Sequence, residues 1–187
     1  MINHSELRKG ARIIIEGQPY EILESNPMKK AQRRVVIQSR IRNLITGNVI
    51  FRNFHQGDVF EEAKILKMEV KFLYQHHDQY FFSEKKDPSK RFSLILEQIG
   101  SPAQFLKANQ EVEALVSEGK VINVSLPIKI QLKVTEAPPG VKGERAQSGT
   151  KTAILETGAK INVPLFIEEG EIIEVNTETG EYVKRAG

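Results

Sequence analysis

Short segments of alternating apolar and polar residues, each closed by turn-forming residues, constrain the fold of this chain more than any other feature. Ile13–Ile15 and Tyr20–Leu23 flank a glycine- and proline-containing turn at 16–19, which predicts a β-hairpin. Further segments of this kind are predicted strands: Lys67–Phe72, Gln79–Phe82, Val112–Val116, Val121–Val124, Ile128–Val134, Ala153–Leu155, Lys160–Val163, Ile172–Val175 and Tyr182–Val183. Many short strands with turns between them are typical of small β-barrels.

One predicted strand, from Arg34 to Arg42, has two chemically different faces. Val35, Ile37 and Ile41 would point into the core, because side chains alternate along a strand. The other face is then a row of polar, mostly basic side chains, Arg34, Gln38, Arg40 and Arg42, with Val36 as its apolar exception.

Charge is distributed unevenly, although the net charge is only +3. Residues 25–57 contain no Asp or Glu. The same stretch holds seven basic residues: Lys29, Lys30, Arg33, Arg34, Arg40, Arg42 and Arg52. A basic stretch without acids suits a polyanion, and we interpret it as an RNA-binding surface.

Helical signals are few. Ser101-Pro102-Ala103-Gln104 combines an N-cap serine, a proline at the first helical position and a glutamine that completes a capping box. We therefore predict a helix from Ser101, with Phe105 and Leu106 packed inward, and a second short helix over 94–99.

Composition and motifs argue against several classes of function. The chain has no cysteine, so disulfides and thiolate chemistry are excluded. His76-His77-Asp78 is the densest group of metal-ligand types, but neighbours on a strand point to opposite faces. We expect no metal, no cofactor and no enzymatic activity. The apolar runs are too short to cross a bilayer, and we expect a cytoplasmic protein without a membrane partner.

Several blocks spread over the chain match one family pattern in order and spacing. In the first third they are Leu7-Arg8-Lys9-Gly10, Gly17-Gln18-Pro19-Tyr20 and Leu44-Ile45-Thr46-Gly47. In the last third they are Pro139-Gly140-Val141-Lys142-Gly143, Lys151-Thr152-Ala153, Gly158, Ile161, Val163-Pro164, Ile167, Gly170 and Gly180-Glu181-Tyr182-Val183. Together they resemble the bacterial elongation factor P family.

The resemblance implies an all-β fold of three small β-barrels in series, arranged as an L-shaped tRNA mimic. An SH3-like or KOW-like N-terminal domain with a tip loop would occupy 1–64, a central OB domain 65–128 and a C-terminal OB domain 129–187. The family binds the ribosome beside peptidyl-tRNA and promotes peptide bond formation at stalled runs of proline. A monomer that positions the tRNA, without supplying an acid or base, is the implied mode of action.

The tip loop, which the family directs towards the peptidyl-transferase centre, departs from the family pattern. Where the family has a Pro-Gly-Lys-Gly run with an often modified lysine, this chain reads Pro27-Met28-Lys29-Lys30-Ala31-Gln32-Arg33-Arg34. Ungapped counts from both flanking blocks place Gln32 at the tip. We expect a tip of Lys29, Lys30, Ala31, Gln32 and Arg33 that works without covalent extension, because an amide nitrogen is a poor nucleophile.

Two groups of residues are predicted to contact RNA. The first is Arg34, Arg40 and Arg42, beside the tip. The second is the polar loop of the last third, where the family contacts messenger RNA. Its candidate residues are Gly143, Arg145, Gln147 and Ser148.

Two other readings stay open from the sequence. One is a diverged paralogue of elongation factor P that performs another ribosomal task. The other is a general RNA-binding OB-fold protein that never enters the ribosome.

Overall fold

The computed structural model describes residues 1–29, 35–139 and 149–187. Almost all regular structure in these ranges is β-strand, and the strands form three sheets. The prediction of an all-β chain is confirmed.

The first sheet uses the N-terminal third of the chain. Its strands are β1 (Ile2–Asn3), β2 (Arg12–Ile15), β3 (Gln18–Lys29), β4 (Val35–Asn43), β5 (Val49–His55) and β6 (Val59–Glu62). They lie in the order β1-β6-β2-β3-β4-β5, so β5 is an edge strand. The buried cluster beneath the sheet is Leu7, Ile13, Ile15, Ile22, Ile37, Ile41 and Phe54.

The predicted hairpin between β2 and β3 is present. Its two turn residues, Glu16 and Gly17, have φ values of 53° and 78°. Two consecutive left-handed residues form the turn whose twist matches that of paired strands. The glycine adopts this conformation without strain, which explains its position in the turn.

The central sheet contains β7 (Leu66–His76), β8 (Gln79–Glu84), β9 (Arg91–Ile95), β10 (Glu111–Ser117) and β11 (Lys120–Ser125). The strand order is β11-β10-β7-β8-β9. The third sheet contains β12 (Lys129–Glu136), β13 (Thr150–Leu155), β14 (Lys160–Pro164), β15 (Ile172–Asn176) and β16 (Tyr182–Arg185). Its order is β14-β13-β12-β15-β16.

The central and third sheets share one connectivity. In each, the first strand pairs with the second and the fourth, the second also pairs with the third, and the fourth also pairs with the fifth. In the third sheet, β14 also approaches β16, which brings the third and fifth strands together. This is the strand order of a five-stranded Greek-key OB barrel, as predicted for both.

A helix begins at Ser101 as predicted, but it is not an α-helix. Ser101–Phe105 forms a 3₁₀ helix, and the α-helix α1 covers only Leu96–Ile99, just before it. Gly100, with φ of 74°, separates the two. So few residues allow few i→i−4 hydrogen bonds, which do not offset the cost of nucleating an α-helix. The predicted inward packing is confirmed, because Phe105 and Leu106 are buried.

The chain separates into two compact units. The first unit contains residues 1–70, 93–100 and 113–125, and the second contains 71–92, 101–112 and 126–187. The domain boundaries predicted near residues 64 and 128 stay a prediction.

Candidate RNA-binding surface

Strands β3 and β4 form a long antiparallel hairpin that carries the predicted tip. Its pairing runs from Tyr20 opposite Asn43 to Lys29 opposite Val35. Five residues join the two strands, and Gln32 is the middle one by count. The predicted tip residues Lys30, Ala31, Gln32 and Arg33, and the predicted RNA ligand Arg34, lie outside the described residues, as does the Lys29 side chain.

The two faces predicted for β4 are confirmed where the structure describes them. Ile37 and Ile41 are buried in the first core, whereas Gln38 and Arg40 are exposed and Arg42 is half-buried. Ser39, between the two isoleucines, also points inward. The hydrophobic core therefore fixes which way the arginines face.

The arginines of β4 lie opposite carboxylates of β3, which the sequence did not predict. A guanidinium nitrogen of Arg40 donates to Oε1 of Glu24 at 2.8 Å. Arg42 lies opposite Glu21 in the strand register. Residues 25–57 contain no Asp or Glu. Glu21 and Glu24, which precede this stretch in the sequence, nevertheless lie next to its arginines in the sheet. On the outer face, each of these two arginines therefore lies beside a glutamate of the neighbouring strand.

The other neighbour of Arg40 is an exposed aromatic side chain on the edge strand. Phe51 lies opposite Arg40 in the register and is 74% exposed. Val49 takes the matching place opposite Arg42. Exposed aromatic rings beside arginines are typical of surfaces that stack on bases. The position of Phe51 beside Arg40 depends on the pairing of β4 with β5, which alternation within one strand does not predict.

Comparisons with known proteins cover both ends of the chain and its full length. Residues 3–60 match the model described as "Elongation factor P (EF-P) KOW-like domain", and residues 130–185 match "Elongation factor P, C-terminal". Elongation factor P of Syntrophus aciditrophicus is 42% identical over 185 residues, which cover 99% of this chain and 98% of the relative. Elongation factor P of Moorella thermoacetica is 37% identical over 186 residues, covering 100% of both. The chain belongs to the elongation factor P family.

Family membership makes the chain a translation elongation factor. It also agrees with the KOW-like class expected for the first sheet. Among solved structures, eukaryotic translation initiation factor 5A from Methanococcus jannaschii is similar at 18% identity and a TM-score of 0.44. The match covers 66% of this chain and 94% of that protein.

The second surface predicted from the elongation factor P pattern is the loop between β12 and β13. Its candidate residues, Gly143, Arg145, Gln147 and Ser148, lie outside the described residues. The described end of the loop is exposed at Gly149 and Thr150.

One ion pair joins the segment after the 3₁₀ helix to the third sheet within the second compact unit. The ammonium of Lys107 lies 2.7 Å from Oε2 of Glu156, and Oε1 accepts the backbone N–H of Lys133 at 3.0 Å. Burial alone would raise the pKa of Glu156. The hydrogen bonds from Lys107 and Lys133 outweigh it, so the pKa lies below its usual value. This pair helps to hold the second unit together.

Other chemistry is limited in the part of the chain that the structure describes. No group of three or more His, Asp or Glu residues there could hold a metal ion. His76 and His77 do not point apart as predicted, since their ring centroids lie 4.2 Å from each other at the β7–β8 turn. None of the described helices is long and apolar enough to span a membrane.

Proposed function

We propose that this chain binds the ribosome beside peptidyl-tRNA and promotes peptide bond formation at stalled runs of proline. The observation that carries the proposal is identity to elongation factor P of about two residues in five over the whole length. In this role the chain acts in the cytoplasm as a monomer, and its partners are the ribosome, peptidyl-tRNA and messenger RNA.

Positioning is the mechanism that suits these residues. Proline holds its backbone rigidly and reacts slowly in this setting, so a factor that holds the tRNA in a reactive pose lowers the barrier. The pKa shifts among the described carboxylates come from local turns and ion pairs. The pKa of Asp87 is lowered by hydrogen bonds from Ser89, and that of Glu111 by its hydrogen bond from Lys85. Neither carboxylate lies on the β3–β4 hairpin, and we propose that the chain is not an enzyme.

The outer face of the first sheet would bind RNA by exchanging partners. The side chains of Arg40 and Glu24 are 43% and 52% exposed, so solvent weakens their attraction. A phosphate can then replace the carboxylate with little net cost, since both are anions that accept from a guanidinium. Arg42, at the next outward position, would add a second cation to this surface; it lies opposite Glu21, whose carboxylate is 3.8 Å from Arg12. Glu24 and Glu21 would keep the surface close to neutral until RNA arrives.

The tip would act through unmodified side chains. In this hypothesis Lys30 and Arg33 bind RNA phosphates, while the amide of Gln32 contacts the tRNA end near the reacting ester. Ala31 and Arg33 replace flexible glycines, which lowers the entropy cost of ordering the loop. Intact-mass measurement of the protein from its host tests this idea. The bare sequence mass supports it, and an adduct on Lys29, Lys30 or Arg33 contradicts it.

The loop between β12 and β13 would contact messenger RNA. Arg145, Gln147 and Ser148 can donate hydrogen bonds to phosphates or bases, and Gly143 allows close approach. We expect Arg145→Ala combined with Gln147→Ala to reduce rescue of proline runs. Unchanged rescue would leave this loop as a surface segment without a role.

Sedimentation with ribosomes is the first test of the proposal. We expect the full chain to pellet with vacant and translating ribosomes and to be displaced by elongation factor P of a relative. A general RNA-binding protein would instead bind free RNA equally well and ignore the competitor. A diverged paralogue would compete for the ribosome but fail to accelerate proline-run synthesis.

A further inference from the structure

The turn between β7 and β8 carries a cluster of aromatic and histidine rings that the function above does not use. Tyr74 stacks on Phe81, with ring centroids 4.8 Å apart and planes 20° from parallel. His76 and His77 make an edge contact at the turn itself. Residues 71–92 lie within the second compact unit, so these contacts belong to one body.

The Tyr74–Phe81 stack is not part of the barrel core. The core of the central sheet has its own aromatic contacts, in which Phe72 packs against Tyr80 and Phe82. All three of those rings are at least 95% buried, whereas Tyr74 is 50% exposed. One face of the Tyr74 ring is covered by Phe81, and half of the side chain still meets solvent. A ring that served only to seal the barrel end would be expected to bury its second face too.

The turn that carries these rings is held in a defined conformation. His77 has φ of 52°, a left-handed value that is uncommon for a residue with a side chain. The side-chain amide of Gln75 donates to the backbone oxygen of His77 at 3.0 Å and supports this geometry. The two histidine rings are therefore presented from an ordered turn.

We propose that this cluster, Tyr74, His76, His77 and Phe81, is a binding site for unstacked bases of single-stranded RNA. A base would continue the stack on the open face of Tyr74. His76 and His77 would hydrogen-bond the edge of that base or its neighbour, because each neutral imidazole offers one donor and one acceptor.

The position in the fold supports RNA as the occupant. The turn joins the first and second strands of the central barrel, and this loop is one of the two that OB-folds use for oligonucleotides. The stack is parallel rather than edge-to-face, which is the arrangement that a base can extend.

A protein partner fits this surface less well. The residues around the stack are exposed and polar, including Gln75, Asp78 and Gln79. Protein interfaces place their aromatic anchors among desolvated apolar neighbours. A stack of flat rings within a polar surround is closer to the stacking platforms of single-strand binders.

The test compares two substitutions at one position in the full-length protein. Tyr74→Phe keeps a flat ring, and Tyr74→Leu keeps apolar bulk but removes the ring. The probe is a labelled oligoadenylate of about eight nucleotides, a length within OB-fold site sizes, and its control is an abasic oligomer with the same phosphates. We expect Tyr74→Leu to weaken oligoadenylate binding about tenfold, and Tyr74→Phe less than about twofold. Neither change should alter binding of the abasic oligomer or the slope of affinity against salt.

A second measurement uses the unaltered protein and does not depend on a variant that folds. In proton NMR, the ring signals of Tyr74 should shift upfield with oligoadenylate and stay in place with the abasic oligomer. Equal affinities for the Leu and Phe variants, or ring signals unmoved by oligoadenylate, would overturn the site. A variant that loses ribosome binding but keeps oligoadenylate binding would identify a protein contact instead. These outcomes do not depend on proline-run activity, so the site and the proposed function can fail separately.

Discussion

The Arg40–Glu24 pair of the first sheet and the Lys107–Glu156 pair of the second unit join opposite charges at nearly the same distance, 2.8 and 2.7 Å. Their surroundings differ. Glu24 is half exposed, whereas the side chain of Glu156 is 25% exposed and also accepts the backbone N–H of Lys133. An exposed pair can exchange its carboxylate for a phosphate, while a pair with several fixed partners stabilises the fold. Ion pairs of the same length can therefore serve recognition in one region and structure in another.

The largest expected effect is on the free energy of unfolding, and it distinguishes the buried face of β4 from the exposed face. Ile41 lies between Arg40 and Arg42 and is fully buried. We expect Ile41→Ala to lower the free energy of unfolding by about 2–5 kcal/mol, because it removes buried methyl groups and leaves a cavity. Urea denaturation measures this change. Substitution of Arg40 by Gln is the control and should cost less than about 0.5 kcal/mol. Similar losses in both variants would mean that the arginine face is structural.

Charge reversal on the outer face should act on binding rather than on folding. We expect Arg40→Glu with Arg42→Glu to weaken ribosome association by about tenfold or more and to lower the salt slope by about two, because fewer counterions are released. Sedimentation at several salt concentrations gives both quantities. The matched control is Lys184→Glu with Arg185→Glu, which reverses two exposed, ion-paired charges of the third sheet. Equal effects of the two double variants would remove any special role for the first sheet.

The Lys107–Glu156 pair should make the free energy of unfolding depend on pH. The pKa of Glu156 is lowered in the folded state, so its contribution is present above the usual value of 4.5. It is lost as pH falls through the lower folded pKa. We expect Glu156→Gln to cost about 1 kcal/mol near neutral pH and to reduce the loss of stability below 4.5. Thermal unfolding between acidic and neutral pH measures this. A variant with the same acid profile as the unaltered chain would show that the pair is incidental.

The smallest expected effect has the opposite sign. If Glu24 competes with phosphate for Arg40, then Glu24→Gln should tighten ribosome binding about two- to threefold, a size expected for an exposed pair. Its matched control is Glu171→Gln, which removes a carboxylate that pairs with Arg185 on the third sheet. Competitive sedimentation resolves a difference of this size. Weaker binding after Glu24→Gln would mean that the carboxylate positions the guanidinium for RNA.

The sequence predicted the faces of β4 but not the partners of its arginines. Alternation is a local property, so the inward positions of Ile37 and Ile41 follow from hydrophobicity alone. The pairing of Arg40 with Glu24 depends on strand register, which shifts between Ile22 and Glu24. Such an irregularity moves every later pair by one residue and has no clear sequence signal.

The type of the helix at Ser101 and the contact between the His76 and His77 rings were also not predicted by the sequence. Capping residues at Ser101 mark where a helical segment begins, but they do not determine whether its five residues form an α-helix or a 3₁₀ helix. Neighbours on a strand point to opposite faces, but His76 ends β7 and His77 begins the turn, which brings their rings together. Left-handed backbone at a histidine is uncommon and was not predicted.

The rate of synthesis of a peptide with three consecutive prolines, by purified ribosomes, tests the central claim most directly. We expect the full-length protein without any added modification to accelerate this synthesis, while a peptide lacking proline is unaffected. Gln32→Ala should reduce the acceleration with nearly unchanged ribosome affinity, whereas Arg33→Ala should reduce both. A protein that binds the ribosome at the site of its relatives, yet leaves the proline-run rate unchanged, would contradict the account and identify a paralogue with another task.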